Sequence, residues 1–501
     1  MLQFGEFLPD QSDYTNAGAT DAKNCIPLTN KSYAPLRDLS AVIDALSNRI
    51  QGAASMQESD GTQHTFCGDN QNLFLLGSSA FAEISKSTNA YTCATNDHWD
   101  FVQYGNRVIA VNGHTDAPQS YVMGASSDFA DLAGSPPQAK VCNVIGNSVI
   151  FGNIDDATDG VVPNRVHWCA INDPTDWPTI GSSDAAQKQS DRQDLPNGLS
   201  VQAITGAVGG ADGAVFMRDS VYRVTYVGAP LVFEFQEVEL SRGTIARQSV
   251  VNVGTFAFYC ASEGFFVFNG TSSQAIGNQK IDKFFFADLD FNFVHRITAA
   301  ADPVNKLVYW SYPGANNTDG TPNKVIIYNW EINRWSYGEI TADLIFTDTS
   351  PGYTMDNIDG FGNLDALATS LDDRFWVGGF SSLSAFNATH RLSTFTGSAL
   401  ATTLTTTEFG GMELFTKPNE RMYVNGVRPY IDGGTVTVEL EYRDSPSGSI
   451  STDGPNSVDG NGMAHFTRSC RYARATVNVA AGGTWTHAQG IDMDAAEDGT
   501  S

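Results

Sequence analysis

The stretch DGAVFMRDSVYRVTY at residues 212–226 contains the pattern that decides the fold. The dipeptide Asp212-Gly213 tolerates the positive φ angles of a tight turn, and the four residues after it, Ala214 to Met217, are apolar. A second β-forming run, Ser220 to Tyr226, follows after two polar residues. Two short β-forming runs that alternate with turn residues predict a β-hairpin.

This turn-then-strand pattern recurs along the chain at intervals of about 50 residues. No long helical pattern separates the strands, so a parallel βαβ fold is not expected. Short strands at this period favour an all-β, propeller-like body of about six to seven blades, with a run of β-sandwich domains as the alternative. The seven turns are Asp69-Asn70, Gly105-Asn106, Gly146-Asn147, Asp212-Gly213, Glu263-Gly264, Asn305 and Asp372-Asp373.

The two ends of the chain differ from this repeating body. Residues 1–35 predict an extended arm, and apolar residues at spacings of three and four predict a short amphipathic helix over 36–50. We therefore divide the chain into the arm and helix (1–55), the propeller-like body (56–395) and a C-terminal antiparallel β-sandwich (396–501) that ends in an acidic tail from Asp494. The helix pattern comprises Leu36, Leu39, Val42, Ile43, Leu46 and Ile50.

Composition excludes several classes of function. The chain has 56 acidic and 29 Lys and Arg residues, a net charge of −27. Tight phosphate binding needs clustered cations, so a sequence-specific DNA reader is not expected, whereas an acidic wall that DNA slides past stays open. The simpler explanation of the acidity is solubility. No signal peptide and no membrane span are expected, and the seven dispersed cysteines predict reduced, buried thiols.

Motifs for catalysis or cofactor binding are missing from the sequence. The acidic loop with Asp155, Asp156 and Asp159 lacks the EF-hand spacing, and His167 with Cys169 has no second ligand pair for zinc. Patterns for a nucleophile elbow, a zinc protease and a phosphate-binding loop are also missing. We therefore expect no catalytic residues, no metal and no cofactor.

Residues 195–345 resemble the tail hub, or nozzle, proteins of short-tailed bacteriophages, of the type called packaged DNA stabilization protein. The opening segment, with Leu8-Pro9-Asp10, Ile26-Pro27 and Tyr33-Ala34-Pro35-Leu36, is also similar to theirs. The resemblance is an ordered series of short motifs over about two thirds of the chain. Its main stretches are 219–230, Phe233-Glu234-Phe235, 241–246, 249–251, 263–270, Ile276-Gly277 and 302–306.

The resemblance implies a structural protein of the virion tail that is assembled in the host cytoplasm and is not an enzyme. It implies a hexameric ring below the portal adaptor, with fibres or spikes attached and double-stranded DNA passing through the lumen. The polar segments 153–163 and 314–322 are longer than hairpin turns require, and we expect them to form lumen or gate loops. Their candidate residues are Asp155, Asp156, Asp159, Asn316, Asn317 and Asp319.

The arm is expected to contact the adaptor, through Leu8, Pro9, Asp10, Tyr33 and Pro35. The C-terminal domain is expected to serve fibre attachment or contacts between subunits. An alternative function is a carbohydrate-binding or carbohydrate-active β-propeller, which would act as a monomer with a deep pocket and convergent carboxylates.

Overall fold

The computed structural model of this chain describes all residues except 14–15, 78–79, 316, 350–380, 411–413, 415–420 and 500–501. Two features of the sequence analysis therefore lie outside the described residues: the turn at Asp372-Asp373 and the candidate gate residue Asn316.

The described residues form a β-propeller of seven blades, each with four antiparallel strands; the strands follow chain order in blades 1 to 6, and the strands of blade 6 continue into a larger sheet. Blades 1 to 3 comprise Gly52–Gln57, Gln63–Gly68, Leu73–Leu76 and Phe81–Glu83; Asp100–Tyr104, Arg107–Val111, Gln119–Val122 and Ala130–Asp131; Gln138–Ile145, Ser148–Asp156, Gly160–Trp168 and Asp191–Asp194. Blades 4 and 5 comprise Val201–Thr205, Gly213–Met217, Ser220–Gly228 and Val232–Leu240; Val251–Val253, Phe256–Ala261, Gly264–Phe268 and Ser273–Ala275. Blades 6 and 7 comprise Thr298–Asp302, Leu307–Tyr312, Lys324–Asn329 and Arg334–Gly338; Ala342–Thr349, Ser381–Asn387, Leu392–Thr394 and Ser40–Ala41.

The blades close into a ring around one axis. The first strand of each blade packs against the first strand of the next, with the turn Arg247–Ser249 mediating the contact between blades 4 and 5, and blade 7 returns to blade 1. The outermost strand of blade 7 comes from the start of the chain, because Ser40 and Ala41 pair with Thr394 and Ser393. The ring is therefore closed by strand pairing between residues far apart in sequence.

The helix predicted over 36–50 is wrong. This segment is extended, and its backbone donates hydrogen bonds to blade 7, from Val42 N to Leu392 O and from Leu46 N to His390 O. Its apolar side chains are divided between two cores: Leu36 packs near blades 6 and 7, whereas Ile43 and Ile50 pack where blade 7 meets blade 1. The unpaired edge of blade 7 therefore provides hydrogen-bond partners that compete with those of a helix.

A β-sandwich formed by both ends of the chain lies beside blade 6. Its first sheet has the strand order Cys25–Thr29, Ser32–Pro35, Ala488–Glu497, Met422–Ile431 and Ala464–Cys470, with Leu2–Gln3 beside Ala488–Glu497. The second sheet continues blade 6 through Asp21–Lys23, Thr402–Thr405, Tyr472–Val479, Val436–Arg443 and Ser451–Ser457, and Phe409–Gly410 pairs with Tyr472–Val479. One hydrophobic core joins both sheets to blades 5 and 6.

The acidic tail begins later than the sequence predicts. The last strand runs to Glu497 and pairs with Met422, so Asp494 to Glu497 belong to the sandwich. Pairing with the long central strand Met422–Ile431 satisfies the backbone of these residues despite their acidic composition.

Helical elements are few in the described chain: Ser183–Lys188 and Asp282–Asp288 are α-helical, and Arg247–Ser249 and Phe291–Arg296 are 3₁₀ turns. No described helix combines the length and the apolar composition that crossing a bilayer requires. All seven cysteines are buried and free, as the sequence predicts.

Candidate functional site

A cavity of about 280 Å³ lies on the propeller axis, and the first strands of all seven blades line it. Its wall combines aromatic rings with charged and amide groups. Central cavities are where propellers commonly hold ligands, because every blade contributes side chains there. The polar groups on its wall include His98, Asp100, Lys140, Gln202, Arg247 and Gln248.

Basic side chains gather at one end of this axis, which we call the mouth. Each blade begins its first strand at the same end of the ring, so the residues that enter these strands meet there. Four of the six basic residues, Arg49, Lys140, Arg247 and Arg296, carry a permanent charge, whereas the chain as a whole carries −27. The mouth comprises Arg49 before blade 1, His98 before blade 2, Lys140 in blade 3, Arg247 before blade 5, and His295 and Arg296 before blade 6.

One side of the mouth is held together by hydrogen bonds to Asp97. Its Oδ1 accepts from Lys140 Nζ at 2.8 Å and from the Arg247 guanidinium at 2.6 Å. Burial opposes ionisation of Asp97, but the two cations outweigh burial and lower its pKa. Arg247 also donates to the backbone carbonyls of Asn96 and Lys140. This half of the mouth is therefore electrostatically satisfied.

The other side of the mouth contains an arginine, Arg296, that makes no hydrogen bond to the described residues, although the charges of Asp343 and Asp319 act on it. Arg296 is only 7% exposed, and no hydrogen bond from its guanidinium reaches any described residue; its Nε is fully buried. Burial lowers its pKa. Arg49 donates one hydrogen bond, to the carbonyl of Thr95, and burial together with the charge of Arg296 lowers the pKa of Arg49 to about 10.

The carboxylates around these two arginines are engaged elsewhere. Asp343 is 4% exposed and accepts from the Ile50 N–H and from His390 Nδ1 at 2.5 Å. Burial raises its pKa, and the His390 hydrogen bond opposes that rise. Asp100 accepts from the backbone N–H of Cys142, and burial raises its pKa to about 6. Both carboxylates therefore already accept hydrogen bonds from groups other than Arg49 and Arg296.

Both histidines of the mouth are neutral at pH 7. Burial first, and then the charges of Arg296, Arg49 and Arg247, lower the pKa of His295 to about 4. His98 is buried, and its Nε2 lies 2.5 Å from the carbonyl of His295; its pKa is also lowered, by burial and by Arg247. Three of the four mouth cations, Arg49, Arg247 and Arg296, therefore act on His295.

The predicted loop with Asp155, Asp156 and Asp159 is not a long insertion. The strands Ser148–Asp156 and Gly160–Trp168 continue through it and leave only a three-residue turn. Asp156 and Asp159 are bound within blade 3 by Arg192, at 2.6 and 3.0 Å. The predicted length was wrong because polar residues near the ends of two strands look like a loop in sequence.

The described residues of the segment 314–322 form a loop between two strands of blade 6, Leu307–Tyr312 and Lys324–Asn329. Asn317 closes it by donating to the Thr321 carbonyl and accepting from the backbone N–H groups of Asp319 and Gly320. A Cβ atom at Gly320 would clash with the ring of Phe293, which lies three residues before Arg296. The charge of Asp319 also acts on Arg296. This candidate loop therefore lies next to the mouth.

The candidate arm residues pack into the protein. Tyr33 is fully buried, and its hydroxyl donates to the Gly5 carbonyl and accepts from Arg334. Asp10 accepts from two N–H groups at the start of the helix Asp282–Asp288, at 2.8 Å each. Leu8 is buried, and Pro9 and Pro35 are half-buried. Contact between the arm and an adaptor stays a prediction.

Sequence reasoning missed the mouth entirely. Its members range from residue 49 to residue 296, and no two of its permanent cations are neighbours in sequence. Among the described residues, no three His, Cys, Asp or Glu side chains converge in a way that could hold a metal ion.

Comparisons with known proteins give structural similarity alone. No protein-family model and no curated protein sequence matches the chain. Among solved structures, the extracellular domain of a hybrid two component system from B. thetaiotaomicron is similar with a TM-score of 0.42 and 9% identity over 83% of this chain and 47% of that one. This chain thus spans about half the length of that protein.

Two further structures are similar to the chain. The β-propeller domain of Cps50 (Swd1) from Myceliophteria thermophila has a TM-score of 0.40 and 8% identity over 71% of this chain and 98% of that one. AztD from Citrobacter koseri has a TM-score of 0.33 and 13% identity over 64% of this chain and 93% of that one. The assignment as a propeller therefore rests on the strand order of the blades themselves.

Proposed function

We propose that this protein is a structural component of a bacteriophage tail, a nozzle that extends the portal–adaptor channel, retains packaged DNA and conducts it on ejection. The observation that carries the proposal is the ordered series of motifs over residues 195–345 that resembles such nozzle proteins. These residues span blades 4 to 6 and the start of blade 7, so the resemblance covers the part of the ring that joins the sandwich.

In this proposal DNA passes between subunits and not along the propeller axis. The axial cavity has a volume of only about 280 Å³. A DNA duplex is wider than its major groove, which is itself about 12 Å across, so a duplex does not fit into this cavity. Six copies in a ring would carry six times −27, or −162. Acidic residues that face the lumen would repel the phosphates and let DNA slide without sticking.

The way the chain is interlaced supports a mechanical function. The first 41 residues pair with the last strand of the sandwich through Leu2–Gln3, extend blade 6 through Asp21–Lys23 and complete blade 7 through Ser40–Ala41. Separating the sandwich from the propeller therefore requires breaking strand pairs as well as apolar contacts. Such a body suits a ring that holds back DNA and supports fibres or spikes at its C-terminal domain.

The test is the mass of the purified protein by light scattering, measured alone and after mixing with the portal–adaptor complex. We expect a ring of about six subunits in at least one sample. The matched control is portal without adaptor, which should not recruit the protein. A monomer that ignores the portal–adaptor complex would contradict the nozzle and favour the second candidate.

The second candidate is a carbohydrate-binding propeller, and one cleft favours it. A cavity of about 890 Å³ between blades 2 and 3 is lined by Trp177, Asp155, Asp156 and Arg192. His167 also lines it, and neither of its ring nitrogens has a hydrogen-bond partner among the described residues. An aromatic ring beside polar groups is a common design for holding a sugar. Binding on a glycan array that Trp177→Ala abolishes would support this candidate over the nozzle.

A further inference from the structure

The axial cavity is bordered by a hydrogen-bond acceptor that the described residues leave open. Gln248 lines this cavity, and its Oε1 is buried and accepts no hydrogen bond from any described residue. The amide Nε2 of Gln248 lies 3.5 Å from the carbonyl of Trp99, which orients the amide so that Oε1 is the open atom. A buried oxygen of this kind calls for a donor, and a ligand in the cavity can supply one.

A carboxylate lines the same cavity. Asp100 follows Trp99 in the chain, and its Oδ2 accepts from the backbone N–H of Cys142 at 2.8 Å. Burial raises its pKa to about 6, so Asp100 is mostly ionised at pH 7. A carboxylate accepts more hydrogen bonds than backbone N–H groups supply here, and Asp100 forms no ion pair with a described cation. Asp100 and Gln248 are therefore a pair of acceptors suited to an ammonium group.

Two cations with spare donors also line the cavity. Lys140 Nζ donates to Asp97 at 2.8 Å, which uses one of its three N–H groups. Arg247 donates to Asp97 at 2.6 Å and to the carbonyls of Lys140 and Asn96 at 3.3 and 3.1 Å, which uses three of its five. Each cation therefore keeps two N–H groups for a further acceptor such as a carboxylate.

Short connections hold the two acceptors and the two cations together. Arg247 and Gln248 are consecutive residues, and Arg247 also donates to the Lys140 carbonyl at 3.3 Å. Lys140 stands two residues before Cys142 on one strand, and the N–H of Cys142 bonds Asp100. Hydrogen bonds and neighbouring positions in the chain thus place donors beside acceptors on one part of the wall.

Charge and volume define the kind of ligand that this wall fits. The carboxylates of Asp97 and Asp100 balance the charges of Lys140 and Arg247, so a ligand without net charge preserves the balance whereas a simple anion or cation disturbs it. The volume of about 280 Å³ is at the lower end of the range of about 300–1,000 Å³ for ligand cavities, so the ligand is small. The apolar part of the wall comprises Ala53, Ala54, Val141, Ile204 and Phe346.

We infer that the axial cavity binds a free amino acid, whose ammonium group donates to Asp100 and Gln248 Oε1 and whose carboxylate accepts from Lys140 and Arg247. An amino acid carries opposite charges on neighbouring atoms and no net charge, as this wall requires. Its side chain then packs against the apolar part of the wall. Asp97 keeps Lys140 and Arg247 in place before the ligand arrives.

Isothermal titration calorimetry on the full-length protein tests this inference. The probes are the standard amino acids with small and medium side chains, such as L-valine, and two blocked forms of each one that binds. N-acetylation removes the ammonium group, and conversion to the amide removes the carboxylate. We expect saturable binding of at least one free amino acid and a loss of affinity of about tenfold or more for each blocked form.

Matched variants make the result specific. Asp100→Asn and Gln248→Met should each weaken binding of the free amino acid, the first by about tenfold or more because it removes the charge opposite the ammonium group. Asp219→Asn is the control, since Asp219 is an exposed carboxylate between two strands of blade 4, and it should leave the affinity unchanged. Thermal unfolding without ligand shows that each variant is folded.

Three results would overturn the site: no saturable binding of any of these amino acids, a blocked form that binds as tightly as the free one, or equal affinity for folded Asp100→Asn and the wild-type protein. The first two need no variant. The inference is independent of the nozzle, because calorimetry reports the cavity and light scattering reports the ring. A ring that binds no amino acid would retain the nozzle alone, and a monomer that binds one would retain the site alone.

Discussion

Two groups of arginines in this propeller differ in how many hydrogen bonds they make to carboxylates. In blade 3, Arg165 is 9% exposed at its side chain and bonds both oxygens of Asp194, at 2.5 and 2.9 Å, and Asp159 at 2.5 Å. At the mouth, Arg296 is buried to a similar degree and makes no hydrogen bond to the described residues. The same side chain, removed from water to a similar degree, makes three hydrogen bonds to carboxylates in blade 3 and none to the described residues at the mouth.

The difference separates charges that the fold pairs closely with carboxylates from charges that the fold crowds together. The hydrogen bond from Arg165 lowers the pKa of Asp194 more than burial raises it, so folding and ionisation support each other in blade 3. At the mouth, burial and mutual repulsion lower the pKa of Arg49, so folding and ionisation are opposed. A site that opposes its own charges gains when a ligand of the other sign binds.

Removing Arg165 should cause the largest change in stability. Arg165→Met leaves Asp159 and Asp194 without their shared cation in a hairpin that the network fastens, and we expect a loss of about 2 kcal/mol in the free energy of unfolding. Urea denaturation measures it. The matched control is Asp155→Asn on the same hairpin, because Asp155 takes part in no ion pair among the described residues; it should change stability by less than about 0.5 kcal/mol.

Removing Arg296 should have the opposite sign. Arg296→Met replaces a buried cation that makes no hydrogen bond to the described residues by an apolar chain of similar length. Because burial opposes the charge of Arg296 more than Asp343 and Asp319 favour it, we expect stability to rise by about 1 kcal/mol. The same urea experiment measures it. A loss of stability comparable to that of Arg165→Met would show that Arg296 is a structural residue and would remove the contrast between the two groups.

The propeller could be predicted because its signal is local. A turn of Gly, Asn or Asp followed by a short apolar run is contained within about ten residues, and each such run became a blade strand where the structure describes it. Gly146 and Asn147 form the turn between two strands of blade 3, and Glu263 lies in the turn between two strands of blade 5, where Gly264 begins the second strand. Repetition of a local pattern then gives the ring.

The failures have one physical cause, which is pairing between distant segments. Residues 36–50 have helical periodicity, yet the open edge of blade 7 provides partners 350 residues away for Val42 and Leu46. Asp494 to Glu497 resemble a tail, yet the strand Met422–Ile431 provides their partners. The mouth exists only because five of the blades bring residues 49 to 296 to one rim. No local pattern encodes any of these contacts.

The last expected effect depends on pH and concerns Asp282, a carboxylate for which no cationic partner is found among the described residues. Asp282 accepts from the backbone N–H of Phe265 at 3.1 Å, and burial first, then the charges of Asp10 and Glu263, raise its pKa to about 7. A side chain at Gly264 would lie 2.3 Å from an oxygen of Asp282, so the backbone closes tightly over this group.

The native state therefore binds this proton more tightly than the unfolded chain, whose Asp pKa is about 3.9. The tighter binding of this proton stabilises the native state fully below pH 4, and this stabilisation is lost as the pH rises through about 7. Asp282→Asn removes that loss, so the variant should gain stability relative to the wild-type protein between pH 5 and pH 8, as measured by urea midpoints.

Asp194→Asn is the matched control for this pH dependence. The pKa of Asp194 is lowered in the folded state, so its contribution is already complete above pH 4 and the cost of the substitution should be equal at pH 5 and pH 8. If both variants changed stability with pH in the same way, the presence or absence of a cationic partner would not explain the pH dependence of stability. A change confined to Asp282→Asn would extend the contrast between blade 3 and the mouth from arginines to acids.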